Sequence, residues 1–177
     1  VFDLPTYQAL LAAVDAAVTP NQKGDRFEEL CEYLLTKLTG VNIEARDPLM
    51  ASEELDLVLW NAQTEEVLKP FDNTILVECK NWSSAVGAPA FDSFISKMRR
   101  RSLKTGIFIA ANGVTGDFLN GNGNDGAIDI IKSSLAEGIR VIIINRTDMD
   151  AIANVDALRT LIKKRYCGLF IHRPFNN

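Results

Sequence analysis

The sequence predicts an α/β domain of three layers around a mixed sheet, and three observations carry that expectation. The chain has 177 residues, 47% hydrophobic and 24% charged, enough to bury a real core and unlike a disordered or fibrous chain. Its strand-like segments come first as a group suited to hairpin pairing. They then alternate with helical segments, which adds parallel neighbours and places helices on both faces.

Taken in order, "TYQALLAAVDAAV" (Thr6 to Val18) is an Ala-rich helix, and "TPNQKG" after it reads as turn chemistry. Asp25 is expected to cap a second helix that runs to about Thr39 and stops at Gly40. Its apolar residues Phe27, Leu30, Cys31, Leu34, Leu35 and Leu38 recur at the spacing of one buried stripe. At about 100° per residue, Glu28 falls at the edge of that stripe, Glu29 points away, and Glu32 is intermediate. Strands follow at "VNIEAR" from Val41, "ELDLVLW" (Glu54 to Trp60) and "TILVECK" (Thr74 to Lys80), the last two suited to a long antiparallel hairpin. Next come a helix from about Ala90 to Leu103, the strand "TGIFIAA", a Gly/Asn-rich loop, the helix "DGAIDIIKSSLAEG" and the strand "IRVIIIN". A helix from about Asp148 to Lys164 and an edge strand at "CGLFI" complete the reading. Residues 1–22 are read as an N-terminal helix and linker, and 23–177 as the main domain.

Several function classes are excluded by composition. No apolar run approaches the roughly 18 residues of a membrane span, and the start "VFDLPTYQAL" lacks the basic and apolar regions of a secretory signal. A soluble, cytoplasmic protein is expected, and the start without Met suggests a piece of a longer chain. Cys31, Cys79 and Cys167 lie far apart with no CxxC or Cys/His cluster, which argues against a structural zinc or a disulfide framework. The single histidine, His172, reads as a strand-end residue. Any catalysis must then rest on carboxylates and lysine, with or without a hard metal. The net charge of −4 is not that of a wholly basic nucleic-acid binder, although "KMRRRSLK" gathers Lys97, Arg99, Arg100, Arg101 and Lys104, and "RTLIKKR" adds Arg159, Lys163, Lys164 and Arg165. Each cluster reads equally well as a solvated helix end.

The chemistry concentrates at "ILVECKNW" (Ile75 to Trp82). Strand alternation puts Leu76, Glu78 and Lys80 on one face, and hairpin pairing brings Asp56 beside Glu78. Two carboxylates, a lysine and Glu28 then converge. Like-charged carboxylates held together out of water repel unless a cation neutralises them, and oxygen-only ligation suits Mg²⁺ or Mn²⁺. An isolated E-x-K is weak evidence and reads as a strand-face ion pair; the conjunction with Asp56 and Glu28 is what gives it weight.

On "KGDRFEELCEYLL", "ELDLVLW", "ILVECKNW" and "AFDSFISKMRRRSLKTGIFIAANGVTG", from about Lys23 to Arg146, the chain resembles the PD-(D/E)xK nuclease superfamily, and within it the Mrr-like restriction endonuclease group. The resemblance implies a restriction-endonuclease-like three-layer α/β/α sandwich with a mixed central sheet. It implies a metal-dependent endodeoxyribonuclease of restriction or anti-phage defence, with Asp56 and Glu78 as the two acids, Lys80 as the lysine and Glu28 as the acid of the preceding helix. Asp56, Glu78 and the Cys79 backbone carbonyl would hold Mg²⁺ (or Mn²⁺), and Glu28 a metal-bound water or a second metal. Lys80 would orient or deprotonate the attacking water, or stabilise charge growing on the phosphate; the sequence leaves these roles open. Lys97, Arg99, Arg100, Arg101 and Lys104 would contact DNA phosphates. A fused or associated specificity or sensor domain is an expected partner, as is a second copy, since cutting both strands takes two sites. The alternative is an inactive nucleic-acid-binding or assembly module of the same fold.

Other signals carry less. "GNGNDG" (Gly121 to Gly126) matches G-x-G-x-x-G, but the preceding strand ends about ten residues earlier, so a loop is the better reading than a dinucleotide site. "NGVTGDF" reads as a strand exit, Trp82 as a cover for the core edge or a stacking surface, and Ser83 and Ser84 have no partner histidine.

Overall fold

The computed structural model describes residues 1–46, 49–50, 53–116 and 126–171, the side chains of 49–50 and 53–54 excepted. Helix α1 (Leu4–Ala16) starts where the Asp3 carboxylate accepts the Thr6 N–H, and α2 (Pro20–Leu35) starts at a reciprocal cap between Thr19 and Gln22. The expected turn at "TPNQKG" and cap at Asp25 are therefore corrected. Thr19 supplies the cap, Pro20 fits the first helical position because no N–H is needed there, and α2 begins five residues before Asp25. Its exit uses Gly40 at φ +74°, where an added Cβ would meet the Thr64 hydroxyl.

Strand β1 (Val41–Arg46) is followed by a small antiparallel ribbon of β2 (Leu49–Met50) and β3 (Glu53–Glu54). Then come β4 (Leu57–Asn61), a 3₁₀ turn at Glu66–Leu68, and β5 (Thr74–Lys80). The expected strand over Glu54 to Trp60 is thus split, with Leu55 and Asp56 between the ribbon and β4. Downstream lie α3 (Ala88–Arg100), β6 (Thr105–Ala110), α4 (Gly126–Ala136), β7 (Arg140–Ile144), α5 (Arg146–Asp150) and α6 (Val155–Phe170). The single helix expected from Asp148 to Lys164 is two helices, because Asn154 restarts the chain by accepting the Ala157 N–H. The expected edge strand at "CGLFI" is also corrected. Leu158, Ile162, Arg165 and Leu169 are buried at helical spacing, so Cys167 to Phe170 continue α6. The "GNGNDG" loop to residue 125 and His172 lie outside the described residues.

The main sheet has the order β1-β4-β5-β6-β7, antiparallel from β1 to β5 and parallel from β5 to β7. Glu78 and Phe108 are parallel partners and share a face. Phe108 packs against Phe91 and Phe94 at ring distances of 5.0 and 5.4 Å, which puts α3 on that face, and α4 packs beside α3. Cys79 points to the other face, where its thiol meets Cys31 of α2. These are the three layers of an α/β/α sandwich with a mixed sheet. Helix α1 is docked to the body: Tyr7 is fully buried, its hydroxyl donates to the Met149 carbonyl at 2.9 Å, and Arg146 bonds Asp15 with two nitrogens.

Candidate active site at the end of strand β5

The last registered pair of the β4–β5 ladder at this end is Leu57 with Val77, so Cys79 has no β4 backbone partner. Asp56, on the bend just before β4, fills that gap: its Oδ2 accepts the Cys79 N–H at 2.6 Å. The carboxylate is fixed by a main-chain bond and does not depend on a strand face to aim it. Asp56 Oδ1 has no partner among the described residues. On the other side of β5 the Lys80 carbonyl accepts the Ala111 N–H. Backbone groups of successive strand residues point to opposite edges, so Cys79 turns its carbonyl toward the Asp56 side.

Glu78 and Lys80 point to the α3 face. Lys80 Nζ lies 2.8 Å from Glu78 Oε1 and 3.3 Å from Asp56 Oδ2, joining the two carboxylates. Asp56 and Glu78 are only 6% and 5% exposed. Burial, and then the charge of Glu78, raise the Asp56 pKa above its usual range despite the opposing pull of Lys80 and the Cys79 bond. For Lys80, burial alone would favour the neutral amine. Glu78 and Asp56 outweigh it, raise its pKa, and keep it an ammonium at neutral pH.

A cleft of about 410 Å³ opens between the start of α2 and the end of β5. Glu28, Asp56, Cys79 and Lys80 line it, with Lys23 and Trp82 among the residues at its margins. The Asn81 side chain donates to the Lys23 carbonyl at 3.1 Å and fastens the two walls. Glu28 is therefore at the cleft, as its place on the helix stripe predicts, and Arg46 from β1 stands 3.8 Å from its carboxylate. Trp82 is 46% exposed, so it does not cover the core; the Asn112 side chain holds its carbonyl at 2.6 Å.

The expected phosphate-binding cluster divides. Lys97 does not face solvent: it is 9% exposed and its Nζ donates to Glu78 Oε2 at 2.9 Å, which corrects its assignment to a DNA surface. Arg99 grips Glu137 with two nitrogens at 2.9 Å. Arg100, Arg101 and Lys104 lie around the end of α3 and the approach to β6. With Gly106 beside Leu76 and Ala110 beside Lys80, they sit at the opposite end of β6, Lys104 being six residues before Ala110 and so roughly 20 Å along the sheet from Lys80. Lys97 is the residue that reading by charge puts in the wrong place. The signal is helical phase, since it lies three residues after buried Phe94 and so on the inward side of α3.

The donor set has the chemistry of a hard-cation site, with an open Asp56 oxygen, a backbone carbonyl directed to the same side and a second acid at the cleft. Among the described residues no group of three or more His, Cys, Asp or Glu is already gathered for a metal. Both Glu78 oxygens hold ammonium groups. The residues fit a divalent cation on condition that Lys80 gives up its hold on Glu78.

A family model described as a restriction endonuclease matches residues 20–118. No curated protein matches the chain. Among solved structures, Pyrococcus furiosus SfsA in complex with Ca²⁺ is 22% identical with a TM-score of 0.43, over 73% of this chain and 59% of that one. The chain thus spans less than two thirds of that protein's length. No helix among the described residues is long and apolar enough to cross a membrane.

Proposed function

The chain belongs to this Mrr-type restriction endonuclease family, since the match covers more than half of it, and from that premise we propose that it is a divalent-metal-dependent endonuclease acting on DNA. The observation that carries the reading is the joining of Asp56, Glu78 and Lys80 within 3.3 Å at the edge of a cleft that Glu28 also lines. Asp56, Glu78 and the Cys79 carbonyl would hold Mg²⁺ or Mn²⁺, with Glu28 contributing through a water or a second ion. The ion, when bound, supplies Lewis-acid polarisation of the phosphate and makes water easier to deprotonate. The protein's own residues do the rest. Lys80, an ammonium, is suited to orient water and to stabilise charge growing on the phosphate, in preference to acting as a base. Trp82 offers an exposed ring at the cleft lip for a base or sugar to rest on.

A role in restriction or anti-phage defence, in the cytoplasm, with a fused or associated specificity domain and a second copy for cutting both strands, completes the proposal. Arg99, Arg100, Arg101 and Lys104 remain candidates for a peripheral phosphate contact. The second reading is an inactive binding module of the same fold, favoured by one observation, the saturation of Glu78 by two lysines. The test is cleavage of supercoiled, linear, methylated and single-stranded DNA with Mg²⁺ or Mn²⁺. Cleavage is expected, and EDTA or Lys80→Ala should abolish it. Full activity in EDTA or in Lys80→Ala would overturn the mechanism, and DNA binding with no cleavage under any condition would favour the binding module.

A further inference from the structure

We propose that Lys97 is a positioning residue that locks Glu78 in place and sets how weakly the site attracts a divalent cation; this rests on the reading of the cleft as a metal site. The two carboxylates of Asp56 and Glu78 face two ammonium groups, Lys80 and Lys97, so the cluster is formally neutral before any ion arrives. A divalent cation gains most from a site with uncompensated negative charge, and these four groups have none, while Glu28, the further acid at the cleft, faces Arg46 at 3.8 Å. The two lysines are not equivalent. Lys80 lines the cleft and can turn its ammonium toward water or a phosphate without leaving solvent reach. Lys97 projects from the inward side of α3 between fully buried Phe94 and Met98, its side chain is 11% exposed, and among the described residues its ammonium has Glu78 as its only partner. Moving it off Glu78 would strand a charge in the core. Lys97 is therefore a permanent counter-charge, and Glu78 has only Oε1, the oxygen now held by Lys80, to exchange.

Two consequences separate this from a merely structural ion pair. Removing the Lys97 charge leaves the cluster at −1 with both Glu78 oxygens available, so affinity for a divalent ion rises. The same change frees the Glu78 carboxylate to rotate, so turnover at saturating metal falls. A structural partner would alter stability alone.

The experiment titrates Mn²⁺ by calorimetry, without DNA, into wild type, Lys97→Met, Lys97→Gln and Lys97→Arg. The two neutral variants are expected to bind Mn²⁺ at least about tenfold more tightly than wild type, and Lys97→Arg to stay near wild type. Cleavage at saturating Mn²⁺ should be slower in Lys97→Met and largely recovered in Lys97→Arg. Wild-type or weaker Mn²⁺ affinity in a folded neutral variant overturns the inference and leaves the metal-site reading standing. Absence of Mn²⁺ binding to every protein, wild type included, overturns both. Should the neutral variants be unfolded alone, Mn²⁺ is expected to restore their folding by replacing the missing cation, and failure to do so overturns the inference.

Discussion

Glu78→Gln isolates what the buried charges contribute to the fold. Glu78 holds Lys80 at 2.8 Å and Lys97 at 2.9 Å, one on each oxygen. The neutral amide keeps one acceptor and turns an NH₂ toward the other ammonium, donor against donor. Lys80 retains Asp56, but Lys97 is left charged at 9% exposure with no counter-ion. Breaking a buried pair in this way costs about 3–5 kcal/mol, because one charge stays desolvated and unpaired. For a chain of this length that is a fall in Tm of about 6–20 °C. Urea and thermal unfolding followed by circular dichroism, without metal, measure it. The double variant Glu78→Gln/Lys97→Met removes the stranded charge, so it should recover about 1–3 kcal/mol of the loss expected from adding the two single effects. A Glu78→Gln protein within about 0.5 kcal/mol of wild type, or strict additivity in the cycle, would refute the account of Glu78 and Lys97 as one buried unit.

Asp56→Asn should behave oppositely: its amide oxygen still accepts the Cys79 N–H, and it removes a charge that burial and Glu78 disfavour. The folded pKa of Asp56 is raised, so the native state loses stability as pH rises from the ordinary value of 3.8 through the raised one, and Asp56→Asn should be the more stable protein at pH 7 while cutting no DNA. Its advantage should shrink toward pH 4; unfolding curves at several pH values test this, and a growing advantage at low pH would contradict the sign. A thiol reagent should label one cysteine quickly, exposed Cys167; Cys31 and Cys79 are buried, and the Cys31 hydrogen bond together with burial pushes the Cys79 thiol well above its usual range. Rapid labelling of two or three thiols in native protein would count against the packing of α2 on β5. Gly106→Ala places a Cβ 2.9 Å from Met98 Sδ and 3.0 Å from Phe94, and should cost about 1–3 kcal/mol in denaturant unfolding by forcing these two buried side chains to repack.

Where sequence and structure agree, the signal was local. Strand β5 was legible to its ends because its β-branched and apolar run has turn residues on both sides, and the Glu28 position followed from the stripe of α2. Element boundaries moved where capping chemistry decided: Thr19 and Gln22 begin α2, and Asn154 divides the last helices. Residues 167 to 170 read as a strand because their apolar run is too short to show a period, and only continuity with the buried Leu158, Ile162 and Arg165 makes them helical.

The sequence by itself determined the layers, the pairing of the Asp56 and Glu78 segments and the residue types of the site, since strand alternation and helix period are properties of a few consecutive residues. Tertiary structure decided the charge state of that site. Which basic side chain turns inward depends on how α3 lies across β5, so a lysine counted with a solvated cluster became the buried partner of Glu78. The Arg100 to Lys104 segment was carried to the far end of β6 because a parallel crossover returns the chain to the start of the next strand. A residue's charge is written in the sequence, but its counter-charge is chosen by packing.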